Sequence, residues 1–74
     1  MSFDENNLKK IKISIGLPVF NGEKFLSKKL ESILSQTFTN FELIISDNAS
    51  TDSTSDICKE FERKDKRIQY FRQE

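Results

Sequence analysis

Two clusters of polar side chains directly follow apolar segments of this sequence, and both could bind a ligand. The first begins at Pro18, where an alternating apolar segment ends, and the second begins at Ser46, after Leu43, Ile44 and Ile45. In open α/β sheets, ligands bind at the carboxyl ends of the strands. A carboxylate or an amide held there can hydrogen-bond a base edge or a ribose hydroxyl. The two clusters together could therefore form a nucleotide site.

Each of these residues also has an interpretation that involves no ligand. Phe20 could be a core residue, Asn21 and Gly22 a turn, and Glu23 a favourable charge near a helix N-terminus. The segment from Asp47 to residue 52 could likewise be a turn followed by a helix cap. Taken singly, the residues of the first cluster favour the interpretation without a ligand, and the second cluster leaves both interpretations open.

The apolar pattern predicts the elements that would position the two clusters. Residues 11–17 alternate between apolar and polar, which predicts a strand that Pro18 ends. A helix over residues 23–36 would bury one face, whose members are Phe25, Leu26, Leu30, Ile33 and Leu34, and would expose Lys24, Lys28 and Glu31. Residues 41–46 then predict a strand that is buried on both faces.

The second half of the sequence repeats this alternation. A helix is predicted to begin within residues 51–54, where Ser53 and Asp56 have the spacing of a capping box. Ile57, Cys58 and Phe61 would face inward, and residues 64–67 would form a charged turn before a third strand from Ile68. The βαβαβ order predicts an α/β fold with a short parallel sheet. Residues 1–10 are predicted to be a flexible leader, and residues 11–74 a fragment of a longer domain, because such a sheet would normally continue.

Composition excludes several classes of site. The chain has 74 residues, 12 basic and 12 acidic side chains, one Cys and no His. It cannot form an internal disulfide, a Cys/His metal cluster or a Ser-His-Asp triad, and Cys58 is expected to be a buried thiol. Zero net charge argues against nucleic acid as a partner. No apolar segment is long enough to span a bilayer, and the expected location is cytoplasmic.

Three motifs in order resemble a known family. They are ISIGLPVFNGE at residues 13–23, SILSQTF at residues 32–38 and FELIISDNASTD at residues 41–52. This set closely resembles the N-terminal part of family 2 glycosyltransferases, which have the Rossmann-like GT-A fold. The resemblance implies that the full-length protein transfers a sugar from a nucleotide-diphosphate donor and uses a divalent metal, Mg or Mn.

The resemblance also implies roles for individual positions. Pro18, Val19, Phe20 and Glu23 match the nucleotide site of the first strand, and Asp47 with Asn48 matches the acidic pair of the second. Asn48 replaces the commoner second Asp, which leaves the identity of the base open. The family's Asp-x-Asp metal motif and its catalytic base lie downstream of these motifs. No catalytic residue or metal ligand is therefore expected in this chain, which would be inactive alone.

Two other functions are compatible with the same pattern. Exposed sheet edges could make the chain a non-catalytic binding or assembly module that self-associates into a homo-oligomer. Alternatively, Asp47 could accept a phosphoryl group in a receiver-like domain, although the end of the first strand lacks the acidic pair that would hold Mg²⁺.

Overall fold

The computed structural model describes residues 12–36 and 39–74, and it confirms the α/β fold. Its elements are β1 (Ile13–Val19), α1 (Leu26–Leu34), β2 (Phe41–Asn48), α2 (Thr54–Lys64) and β3 (Ile68–Gln73). The strands are parallel in the order β1-β2-β3, which is consistent with a partial Rossmann-like unit. The predicted leader, the predicted start of the first strand at Ile11, and residues 37 and 38 of the second motif lie outside the described residues.

The hydrophobic core lies on one face of the sheet. Alternate strand residues point to that face and pack against both helices; the buried members are Leu17, Leu26, Leu30, Phe41, Leu43, Ile45, Cys58 and Ile68. On the other face, Ile44 is only half-buried and the side chain of Phe71 is 53% exposed. The prediction that the second strand is buried on both faces is therefore wrong for the described residues. Both helices pack on the same face, where they contact each other.

Pro18 does not end the first strand, contrary to the prediction. It lies within β1 and pairs in register with Ser46. The Ile13 amide donates to Asn40 O at 3.2 Å, so alternate residues from Ile13 direct their backbone groups towards β2. The nitrogen of Pro18 therefore points to the open edge, where a missing N–H removes no sheet hydrogen bond.

Helix α1 is shorter than predicted, because its first turn is replaced by a loop. Residues 23–25 precede the helix, and the Gly22 carbonyl accepts from the amides of Phe25 and Leu26 at 3.1 and 3.0 Å. Lys24, Lys28 and Glu31 are exposed as predicted. Phe25, however, is 76% exposed instead of buried, because it is the residue before the helix and lies outside its apolar stripe.

Helix α2 and strand β3 agree with the sequence pattern. The helix begins at Thr54, with Ile57, Cys58 and Phe61 against the core, and β3 begins at Ile68. Burial, with smaller contributions from the charges of Asp47 and Glu62, raises the pKa of the Cys58 thiol to about 11. The thiol is therefore protonated near neutral pH, as expected of a structural cysteine.

None of the helices within residues 12–36 and 39–74 is long and apolar enough to cross a membrane.

The one-sided core predicts unequal effects at two adjacent isoleucines of β2. Ile45 is fully buried, and Ile44 is half-buried on the open face. We expect Ile45→Val to lower the free energy of unfolding by about 1 kcal/mol, because it leaves a cavity among core side chains. Ile44→Val is the matched control and should cost less than half as much in urea denaturation. Equal losses at the two positions would contradict a core on one face only.

Candidate functional site

The carboxyl ends of β1 and β2 lie side by side, because the two strands are neighbours in the sheet. Val19 pairs with Asp47, so Phe20 and Asn48 follow at neighbouring strand ends. Strand β2 extends two residues beyond its predicted end at Ser46, to Asn48. Because side chains alternate along a strand, Asp47 points to the helix-covered face and Asn48 to the open face. Asp47 is 0% exposed, whereas Asn48 is exposed.

The Asp47 carboxylate is surrounded by hydrogen-bond donors. Its Oδ1 accepts from the Ser50 amide at 3.0 Å and from the Ser50 hydroxyl at 2.6 Å. Its Oδ2 accepts from the Tyr70 hydroxyl at 2.5 Å and lies 3.5 Å from Nη1 of Arg72. Arg72 Nη1 also donates to Ser50 O at 2.9 Å. A buried charge is tolerated here because it is both hydrogen-bonded and paired with a cation.

These contacts set the ionisation of Asp47. Burial by itself raises the pKa of a carboxylate, since desolvation disfavours the charged form. Hydrogen bonds from Ser50 and Tyr70, together with the charge of Arg72, oppose that effect and hold the pKa of Asp47 below its ordinary value of 3.8. The same arrangement raises the pKa of the Tyr70 hydroxyl, through burial and its bond to Asp47. Asp47 is therefore an anion near neutral pH.

A second set of hydrogen bonds joins the loop after β1 to the loop after β2. The Asn21 amide donates to Ser50 Oγ at 2.9 Å, and Asn21 Oδ1 accepts from the Thr51 amide at 2.8 Å. The Gly22 amide donates to Thr54 Oγ1 at 2.8 Å. Each loop thus satisfies backbone groups of the other, which holds the two strand ends at a fixed separation.

Glu23 and Asp52 extend this junction to the start of α2. The Glu23 amide donates to Asp52 Oδ2 at 3.3 Å, and Glu23 Oε2 accepts from the Ser53 amide at 2.9 Å. Asp52 Oδ1 accepts from the Thr54 amide at 2.9 Å. The capping box predicted between Ser53 and Asp56 is wrong, because the Ser53 side chain makes no cap hydrogen bond. In a capping box, Asp56 would accept a hydrogen bond from the Ser53 amide. Here Glu23, from the loop after β1, accepts it instead.

Both loops contain a residue in the left-handed region of backbone space. Asn21 has φ 45° and Ala49 has φ 54°. Asn adopts this conformation readily, and the Asn-Gly pair predicted a turn at this place. Ala adopts it less readily, at a cost of about 1–2 kcal/mol. The bonds of Ser50 to Asp47 hold the chain in this conformation immediately after Ala49.

The exposed part of the edge is formed by other residues of the predicted set. Phe20 is 62% exposed, Pro18 is exposed and Val19 is half-buried. They border a shallow cleft of about 220 Å³, lined by Pro18, Val19, Phe20, Gly22, Phe25, Leu26 and Lys29. The structure therefore brings all six predicted site residues to one edge. Phe20 and Asn48 face solvent there, while the carboxylates of Asp47 and Glu23 bind groups of the protein.

Sequence reasoning missed four members of this site: Ser50, Thr54, Tyr70 and Arg72. The period of β3 carried a signal for two of them, because Tyr70 and Arg72 alternate with the same phase as the buried Ile68. In the observed register Arg72 pairs with Asp47. Only this register identifies Arg72 as a partner of the Asp47 carboxylate, because no local pattern in the sequence indicates one.

The carboxylates at this edge are bound by groups of the protein itself. Over the described ranges, no three His, Cys, Asp or Glu side chains come together as possible ligands. Those of Asp47, Glu23 and Asp52 accept hydrogen bonds from amides and hydroxyls of the protein. Burial of Asp47 also removes support for the receiver-like alternative, which requires an aspartate that a phosphodonor can reach.

The ionisation of Asp47 predicts how acid affects folding. A carboxylate with a lowered pKa in the folded state stabilises the fold above its unfolded pKa, and this contribution is lost as the pH falls through the folded pKa. We expect the difference in unfolding free energy between wild type and Asp47→Asn to be constant above about pH 5 and to shrink below about pH 3.8. Urea denaturation across this range measures it, with Asp56→Asn, at an exposed carboxylate of α2, as the control. A difference that stays constant down to about pH 2.5 would contradict the lowered pKa.

Comparison with known proteins assigns the chain to a family. The model of glycosyl transferase family 2 matches residues 14–74. Glycosyltransferase GlyA of Streptococcus pneumoniae serotype 4 is 46% identical over 63 residues, which are 85% of this chain and 9% of that protein. Glycosyltransferase GlyG of the same organism is 40% identical over 62 residues, or 84% of this chain and 21% of that protein.

A relative with a more specific name shows a similar level of identity. The GalNAc(5)-diNAcBac-PP-undecaprenol beta-1,3-glucosyltransferase of Campylobacter jejuni is 38% identical over 60 residues, or 81% of this chain and 19% of that protein. The chain thus spans from 9% to 21% of the lengths of these three relatives. Since the family model covers most of the chain, including both strand ends and the loops between them, the protein belongs to glycosyl transferase family 2.

Proposed function

We propose that the edge formed by the carboxyl ends of β1 and β2 binds the nucleotide part of a nucleotide-diphosphate sugar, and that the protein contributes this site to a sugar transfer reaction. The observation that carries the proposal is the exposure of Phe20 and Asn48 at neighbouring strand ends. An exposed phenyl ring and an exposed amide are the two groups that a base needs, one for stacking and one for its polar edge.

The other predicted residues support these two contacts. Pro18 and Val19 line the cleft beside Phe20, and they lie on a strand whose position is fixed by its register with β2. Glu23 and Asp47 hold the two loops. The two loops are therefore held in place by hydrogen bonds before a ligand arrives, and this lowers the entropic cost of binding.

The proposal assigns no catalytic base and no metal ligand to the described residues. A divalent metal, Mg²⁺ or Mn²⁺, remains part of the proposed reaction because of the family to which the chain belongs. The carboxylates at this edge do not fit it, since their oxygens accept hydrogen bonds from the protein.

Donor binding can be tested by calorimetric titration of the protein with UDP and GDP. We expect at least one of them to bind, and we expect Phe20→Ala to weaken that binding by about tenfold, since loss of a stacking partner costs about 1–3 kcal/mol. Asn48→Ala should weaken it by a similar factor through the loss of hydrogen bonds to the base.

Ile13→Ala provides the control for this titration. Like Phe20, which directly follows β1, Ile13 is an exposed apolar residue, but it lies at the opposite end of the strand. Its substitution should leave the affinity unchanged. If neither Phe20→Ala nor Asn48→Ala altered the binding of either nucleotide, this edge would not be the nucleotide site.

A self-associating assembly module is the second candidate, and a separate observation favours it. Among the described residues, β1 and β3 each pair on one side only, and Phe71 is 53% exposed on the open face of the sheet. Unpaired edges and exposed aromatic side chains are typical of surfaces that bind another chain.

Self-association predicts an apparent mass that rises with protein concentration in light scattering. Phe71→Lys should lower this mass at a given concentration, because a charge would then lie in the contact. Lys59→Ala, at an exposed position of α2, is the control and should have no effect. A monomer mass that is independent of concentration would reject this candidate.

A further inference from the structure

Asp47 and Asn48 are adjacent in sequence but differ in what their side chains can reach. Asn48 is exposed on the open face, and Asp47 is fully buried on the other face. For a ligand to reach the Asp47 carboxylate, it would have to displace the hydroxyl groups of Ser50 and Tyr70. Each displaced group would lose a hydrogen bond to a charged acceptor, worth about 1.5–3 kcal/mol. Direct contact between Asp47 and a donor is therefore unfavourable.

The partners of Asp47 instead connect the carboxyl ends of all three strands. Ser50 donates to Asp47 through both its amide and its hydroxyl, and its Oγ accepts from the Asn21 amide after β1. Arg72, near the end of β3, donates to Ser50 O and lies 3.5 Å from the carboxylate. The carboxylate thus fixes the position of Ser50, and Ser50 fixes the loop after β1.

We propose that Asp47 is a positioning residue for the nucleotide site and that it does not touch the donor. It acts through Ser50, which holds the chain in the left-handed turn at Ala49, directly after Asn48, and which binds the loop after β1. Of the acidic-pair positions, Asn48 alone then contacts the base. This inference rests on the proposed function. It distinguishes a residue that contacts the ligand, Asn48, from a residue that holds the neighbouring loop in position, Asp47.

The division has a measurable consequence for nucleotide selectivity. A residue that reads the base changes the ratio of affinities for two bases when it is replaced. A residue that only orders the loop weakens binding of both nucleotides by the same factor, since the cost of ordering the loop does not depend on the base. Loss of global stability would change neither affinity nor ratio in samples that remain fully folded.

The experiment measures the dissociation constants of UDP and GDP for variants that circular dichroism shows to be folded. We expect Asp47→Asn to weaken both nucleotides by about tenfold, a change equivalent to about 1.4 kcal/mol, with their ratio unchanged. Asn48→Ala should change the ratio. Asp56→Asn removes an exposed carboxylate and the same charge, so it controls for electrostatic effects on the diphosphate.

Two milder variants keep the test decisive if Asp47→Asn does not fold. Tyr70→Phe removes one donor to Asp47 and retains the ring, and Ser50→Ala removes the hydroxyl that links Asp47 to Asn21. Each should weaken both nucleotides by about threefold to tenfold, the effect of about one hydrogen bond, again at a constant ratio.

The outcomes separate this inference from the proposed function. A changed ratio in Asp47→Asn, or in Tyr70→Phe and Ser50→Ala if that variant is unfolded, would show that Asp47 acts on the base and would overturn the inference. Unchanged affinities in these folded variants would also overturn it. Failure of the wild-type protein to bind either nucleotide would instead reject the proposed function.

Discussion

The hydrogen-bonded junction around the Asp47 carboxylate is the interaction on which the carboxyl edge of this sheet depends. A buried anion must have its oxygens satisfied, because an unpaired charge away from water is strongly destabilising. Here Ser50, Tyr70 and Arg72 satisfy it from the following loop and from β3. Since Ser50 in turn binds Asn21, the same carboxylate couples the loop after β1 to the end of β3. The separate strand ends are thereby joined into one hydrogen-bonded edge.

The junction also explains how acidic residues can lie close to the proposed nucleotide site without repelling a diphosphate. Asp47 is paired with Arg72, and Glu23 and Asp52 accept hydrogen bonds from amides at the start of α2. The first turn of a helix carries partial positive charge, which such carboxylates offset. The ring of Phe20 and the amide of Asn48, which are exposed at the strand ends, carry no charge. Some polar residues of the two motifs thus hold the edge together, and others are exposed on it.

The fold was largely predictable, and the errors share one physical origin. Alternation and helical periodicity are local, and they correctly predicted the order of elements, the start of β3 and the inward face of α2. Pro18, Phe25 and Ser53 were misread because their environment is set by contacts with distant residues. Pro18 is accommodated at an edge, Phe25 lies in a loop held by the other loop, and Ser53 is capped by Glu23. None of these contacts follows from neighbours in the sequence.

The sequence by itself determined the parallel α/β fold, the family, and the edge at which the site residues meet, because each follows from local patterns or motif order. Only the tertiary structure decided which of those residues is available to a ligand. The reason is the alternation of side chains along β2. Because the strand continues for two residues beyond Ser46, Asp47 points to the core and Asn48 points to solvent. The register with β3 then places Arg72 beside Asp47, which compensates the buried charge. Strand length and register are set by pairing between distant segments, and the sequence of β2 alone does not contain them.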